Sequence, residues 1–145
     1  MKVLLQRVSR SEVRVAGTLV ASGGPGLLLL VGIGSADAAD APSRMAEKIY
    51  RLRIFEDDEG KMNRSLADVG GDVVVVPQFT LYGDTRRGRR PSWIQAAPPE
   101  IAGGRVEAFA AALASLGARV QTGAFREHME VELVNDGPVT LLLEA

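Results

Sequence analysis

The sequence predicts an α/β fold in which layered, mixed β-sheets carry two helices packed on one side. Three observations predict it. Apolar runs of strand length recur along the chain, the clearest being four consecutive valines at Val73–Val76. Only two segments show the 3.6-residue apolar spacing of an amphipathic helix. Many strands with few helices fit sheet layers whose helices gather on one face.

Taken in order, Lys2–Val8 is an apolar run and reads as the first strand. Glu12–Val15 alternates and stops at Ala16-Gly17, a hairpin-like turn before Leu19–Ala21. Gly23-Gly24-Pro25-Gly26 is a loop without the Gly-Lys-Ser/Thr ending that grips phosphates. Leu27–Ile33 is uninterrupted and apolar, as a strand covered on both faces would be. The first helix starts at Ala41-Pro42, since proline is tolerated in a first turn, and presents Met45, Ile49 and Leu52. Asp57-Asp58-Glu59-Gly60 reads as a turn, and Asp72–Val76 as a buried strand. The second helix runs from Pro99-Glu100 to Leu116 and is ended by Gly117. Its face is Val106, Phe109, Ala110, Leu113 and Leu116. Short strands follow near Arg119–Gln121, Glu130–Val134 and Val139–Leu143. Between the last two, Asn135-Asp136-Gly137-Pro138 supplies turn geometry and reads as a hairpin. Gly-Pro equally suits a rigid presentation of bare backbone, because glycine lets another group approach without a Cβ clash.

The chain has 145 residues, enough for one compact domain spanning 1–145. Hydrophobic residues make up 46% and charged ones 24%, which supports a core and excludes wholesale disorder. A net charge of −1 gives no global attraction to nucleic acid, so any such binding must come from a local patch. The lack of Cys excludes disulfides, thiolate nucleophiles and Cys-ligated metal. His128 is the single histidine, so a His-rich metal site within one chain is not expected, and no cofactor is implied. Leu27–Ile33 falls far below the roughly 20 apolar residues of a spanning helix. A soluble, cytoplasmic protein without a membrane segment is the expectation.

Four segments could carry chemistry. Pro77-Gln78-Phe79-Thr80-Leu81-Tyr82 follows the valine strand. A strand leaving a buried sheet can deliver polar groups into a crevice at its carboxyl end, although packing roles for Phe79, Leu81 and Tyr82 fit as well. Arg86, Arg87, Arg89 and Arg90 fall within five residues on a Gly-containing loop just before Trp93. Their forks fit phosphate oxygens and the indole could stack on a base or fill a groove; alternatively the loop is solvated or its arginines pair with nearby acids. Arg7 sits in an apolar strand and must be paired if buried, or else points to solvent. His128, beside Arg126 and Glu127, is a possible general base or an ordinary surface residue.

Together these segments resemble the D-aminoacyl-tRNA deacylase (D-Tyr-tRNA deacylase) family. The resemblance rests on Met1–Ser9, Gly24-Pro25-Gly26-Leu27, Gln78–Thr85, Gly88-Arg89-Arg90-Pro91-Ser92 and Asn135–Thr140, in that order along the whole chain. It implies a layered, barrel-like α/β homodimer that hydrolyses the ester between a D-amino acid, or glycine, and the 3′-terminal adenosine of tRNA. Gly137-Pro138 would form a cis-linked wedge that enters the partner subunit's pocket and excludes L-side chains. Gln78, Phe79 and Thr80, with Leu81 beside them, would line that pocket. Phe125 and Met129 match further pocket positions, and Arg7 matches a residue that steadies the Gly-Pro turn. The chain departs from the family in two places. Pro77 stands where Ser is usual, and Arg126-Glu127-His128 where Gly-Ala-Asp is usual.

The implied chemistry needs an activated water or hydroxyl and a place for the developing oxyanion. Backbone amides around Phe79 and Thr80 could supply the latter, with the ribose 2′-hydroxyl assisting the water. Alternatively, Thr80 is itself the nucleophile. Two other classes compete. The arginines and Trp93 fit a non-catalytic RNA-binding module, and the Gly-Pro segment fits a dimerisation tongue.

Overall fold

The computed structural model describes residues Met1–Ala145. Its main sheet contains β1 (Lys2–Val15), β2 (Thr18–Gly23), β3 (Gly26–Gly32), β6 (Asp72–Pro77), β7 (Arg119–Thr122) and β8 (Glu130–Glu144). β4 (Phe55–Glu56) and β5 (Met62–Arg64) form a separate hairpin across the expected turn at Asp57–Gly60. The Asp57 carboxylate closes that turn by accepting the Glu59 and Lys61 amides. The helices are α1 (Ala41–Arg51), α2 (Leu66–Val69) and α3 (Pro99–Ser115).

β1 is the spine. On one edge its first half pairs antiparallel with β3 and its second half with β2. The other edge pairs with β8 along its whole length. From β3 the sheet continues in parallel through β6 to β7. β2 curls back towards β7, where the Ser22 amide donates to the Gln121 side chain at 2.8 Å, so the mixed sheet is nearly a barrel.

One sheet face packs Val3, Leu5, Leu27, Leu29, Val73 and Val75 against Met45 and Ile49 of α1 and Phe109 and Leu113 of α3. The inner face gathers Val8, Val13, Leu28, Val74 and Val76, covered by Met129, Val131 and Leu133. β3 and β6 are therefore buried on both faces, as their unbroken apolar runs require.

Three expectations need correction. β1 is one strand of 14 residues rather than two. Polar Arg10 interrupts the apolar pattern but pairs across the sheet with Glu132 at 2.7 Å, so the ladder continues through it. A third, short helix exists: α2 opens with a capping box in which the Asp68 carboxylate accepts the Ser65 amide at 2.7 Å. The last two segments form no hairpin. Both halves of β8 run antiparallel to the same strand, with Val8 opposite Asn135 and Gln6 opposite Thr140. Asp136–Val139 therefore all stand opposite Arg7 alone, as a large bulge.

Candidate active site

The valine strand sets the site. The parallel β3–β6 ladder reaches Val31 and Pro77, and the next amide, Gln78 N–H, donates to the Val31 carbonyl at 2.7 Å. The chain then turns into one 3₁₀ turn, Phe79–Tyr82. Pro77 fits here without loss, because the β6–β7 ladder has already ended at Val75 and Thr122 and no partner needs its missing N–H.

Tyr82 anchors the turn. Its ring occupies the space beside Gly34, where a Cβ would lie 2.7 Å from the phenol. Its hydroxyl donates to Asp37 at 3.2 Å. Burial, reinforced by the Asp37 charge, pushes the phenol pKa up, so it remains a neutral donor. Leu81 packs beside Gly32 of β3.

The free end of the turn faces a groove of about 650 Å³. Gln78 and Phe79 line one side, Ala102 and Val106 of α3 the floor, and Phe125 and Met129 the far wall. Phe79 is 55% exposed and meets Trp93 edge to face, with ring centroids 5.3 Å apart. Trp93 in turn lies on Gly83, where a Cβ would stand 2.6 Å from the indole, so it props Phe79 from behind. Gly103 of α3 leaves room for the Phe125 ring, and Gly123 for the Met129 sulfur. The Phe79 and Thr80 amides donate to no acceptor in the chain. Gln78 Nε2 donates to Thr80 Oγ1.

The expected site residues thus fall into separate groups. Gln78, Phe79, Phe125 and Met129 share the groove. Thr80 and Leu81 sit on the same turn but outside its lining. Arg126, Glu127 and His128 also line the groove, and Arg126 holds a left-handed φ of +66° where glycine is the ordinary occupant.

Arg7, Gly137 and Pro138 form a second cluster at the β8 bulge, away from the groove lining. Arg7 is only 5% exposed, so the solvent-facing alternative is wrong. Its Nε donates to the Asp136 carbonyl at 3.0 Å and its Nη1 to the Ile54 carbonyl at 2.6 Å. Asn135 completes the frame, accepting the Val139 amide at 3.1 Å. The Gly137–Pro138 bond is cis, and Gly137 has φ +129° with Arg7 and Val139 crowding any Cβ. Both residues of the pair are exposed.

Among the loop arginines, Arg86 is clamped by Asp84 through bonds of 2.9 and 2.6 Å. That clamp holds the Asp84 carboxyl at a pKa of about 2. Arg87, Arg89 and Arg90 are exposed and make no ion pair.

Residues 4–144 match the D-Tyr-tRNA(Tyr) deacylase family. The chain belongs to this family of hydrolases. It is 58% identical over 144 residues to the D-aminoacyl-tRNA deacylase of Heliobacterium modesticaldum, covering 99% of this chain and 96% of that protein. It is also 58% identical over 145 residues to the D-aminoacyl-tRNA deacylase of Thermomicrobium roseum, covering 100% of this chain and 94% of that one. The solved structure of a c-Myc DNA Unwinding Element Binding Protein superposes with a TM-score of 0.93 at 36% identity, over 100% of this chain and 99% of that one. A probable eukaryotic D-amino acid tRNA deacylase shares the fold, with a TM-score of 0.84 at 18% identity over 98% and 97% of the two chains. In this deacylase-family chain no helix is long and apolar enough to cross a membrane.

Two contributors escaped the sequence reading. Trp93 does line the groove, as one of its two sequence readings has it, but its contact with Phe79, which it props, carries no sequence signal. The Ile54 carbonyl, which fixes Arg7, carries no sequence signal, because any residue has one.

Proposed function

We propose that this protein hydrolyses the ester joining a D-amino acid to the 3′-terminal adenosine of tRNA, and likewise glycine mischarged on tRNA(Ala), while sparing L-esters. The observation that carries this reading is an open groove in a chain whose rigid Gly137–Pro138 wedge stands exposed elsewhere. A homodimer in which each subunit's wedge enters the partner's groove joins the two. The exposed Val134 and Leu142 of β8 support such an association, since apolar side chains left bare on an edge strand favour a covered state.

On the turn that borders the groove the Phe79 and Thr80 amides are unpaired donors. Aimed at the ester carbonyl, they would stabilise the oxyanion as it forms, a contribution that needs no special side chain. Thr80 is poorly suited to attack. Its hydroxyl accepts from the Gln78 amide, and no carboxylate or imidazole bonds to it to take its proton. The attacking water is instead positioned by the substrate's own 2′-hydroxyl. No step requires a cofactor. Selection is by clash: a backbone wedge needs no attraction to the right enantiomer, only an obstruction to the wrong one. Glycine, having no side chain to obstruct, passes. The substrate places the protein in the cytoplasm, with charged tRNA.

The test is paired deacylation of D-Tyr-tRNA and L-Tyr-tRNA by purified protein against a no-enzyme control. Rapid loss of the D-ester alone is the expected result. Loss of neither, with tRNA still bound, would replace the reading with that of a binding module.

A further inference from the structure

Residues Ser92–Ala96 form a strip with a hollow on either side. Trp93 and Ala96 face the groove. Ser92, Ile94 and Gln95 face a second hollow of about 540 Å³, shared with Asp84, Arg86 and Arg87. The strip is fixed at both ends. Asp84 and Ser92 exchange two backbone hydrogen bonds of 2.9 Å, and the Ser35 amide donates to the Gln95 carbonyl at 3.0 Å.

Two features of this hollow serve no internal purpose. Asp84 and Arg86 neutralise each other, which leaves Arg87 as the uncompensated charge. Ile94 is 88% exposed, the barest large apolar side chain in the protein, yet it stands on a tied-down strip. A free guanidinium fork beside a bare apolar side chain matches a nucleotide, whose phosphate takes the fork and whose base or sugar takes the apolar surface. The groove's occupant in the reading above, the terminal adenosine, is covalently joined to such a nucleotide.

Resting on that reading, the geometry points to a second subsite: the hollow bounded by Arg87 and Ile94 receives the nucleotide preceding the terminal adenosine. Arg87 holds its phosphate, Ile94 carries its base, and the chain of the RNA crosses the Ser92–Ala96 strip. Ester hydrolysis itself is untouched by these contacts, so they serve affinity for the polynucleotide alone.

The experiment compares two substrates, D-Tyr-tRNA and the D-tyrosyl ester of free adenosine, with wild-type protein, Arg87→Ala and Ile94→Ser. Both side chains are exposed, so folding is unaffected. KM for the tRNA ester should rise about tenfold in Arg87→Ala, the size of one charge-assisted contact, and about tenfold in Ile94→Ser, the size of one covered apolar side chain. For Arg87→Ala the salt dependence of log kcat/KM should flatten by about 0.7, one single-strand phosphate contact. Hydrolysis of the adenosine ester should be unchanged. Equal slowing on both substrates, or an unchanged KM for tRNA, overturns the subsite. Wild-type protein inactive on both esters would overturn the functional reading and this inference with it, whereas active wild-type with unaltered variants removes the subsite alone.

Discussion

Arg7 grips the backbone of Asp136 across the β1–β8 bulge, its Nε donating to the Asp136 carbonyl at 3.0 Å. The same guanidinium holds the Ile54 carbonyl, so one buried side chain ties the residue before Gly137–Pro138 to a segment from another part of the chain. Asp136 and Glu56 carboxylates at 3.6 and 3.7 Å complete its charge compensation.

Replacing Arg7 with Met should therefore leave two carbonyls without their donor, a loss of about 1–3 kcal/mol of stability. Arg7→Lys should recover only part of it, since a point charge cannot form the fork. Chemical denaturation measures the first effect. D-Tyr-tRNA deacylation should fall in the same order, Met below Lys below wild type.

Thr80→Ala should retain deacylation within about threefold of wild type, because the oxyanion donors are backbone amides and survive the change. Single-turnover rates on D-Tyr-tRNA check this. A loss of several orders of magnitude in a protein with an unaltered groove would make Thr80 the nucleophile.

Arg126→Gly should stabilise the protein. A non-glycine residue at φ +66° gives up roughly 1–2 kcal/mol. Glycine's greater freedom in the unfolded chain returns about 0.5–1 kcal/mol of that. A net gain of about 0.5–1 kcal/mol is expected from these two terms, read as a shift in denaturant midpoint. An unchanged or lowered midpoint would mean that the arginine side chain holds the wall in place.

The Asp84–Arg86 clamp sets a pH response. The Arg86 side-chain bond is the largest cause of the depressed carboxyl pKa, about 2 against an ordinary 3.8. A depressed folded-state pKa means that the clamp contributes fully above the ordinary value and is lost as pH falls through about 2. The Asp84 carboxyl carbon, followed by NMR, should titrate with a midpoint near 2, and Arg86→Ala should return it towards 3.8.

Much of the fold was legible because its signals are local. The Val73–Val76 run, the prolines opening α1 and α3, and Gly117 closing α3 each act through their own backbone. What was misread depends on partners. Arg10 stays in a strand because β8 continues the backbone ladder past it, Val134 standing opposite, while its exposed side chain pairs with Glu132. Asn-Asp-Gly-Pro serves a bulge as readily as a hairpin, and the choice is made by β1 pairing both halves of β8. The groove shows the same division. Gln78, Phe79, Thr80, Phe125 and Met129 were expected there through the family resemblance, and the fold brings all but Thr80 together. From pattern alone Arg7 looked solvent-facing, because its acceptor lies 47 residues away.

A heterodimer tests whether one subunit's groove is completed by its partner's wedge. Gly137→Ala turns the wedge into a block on the partner's groove: its Cβ would stand 2.9 Å from Val139 and 3.0 Å from Arg7 at a φ that L-residues rarely adopt, so the turn must shift and carry the added methyl with it. Phe79→Pro spoils the groove by deleting an oxyanion donor. Each homodimer should be nearly inactive on D-Tyr-tRNA. A heterodimer isolated through two different tags should recover about half of wild-type turnover, since one of its two sites pairs an intact groove with an intact wedge. A heterodimer no more active than either parent would contradict the claim.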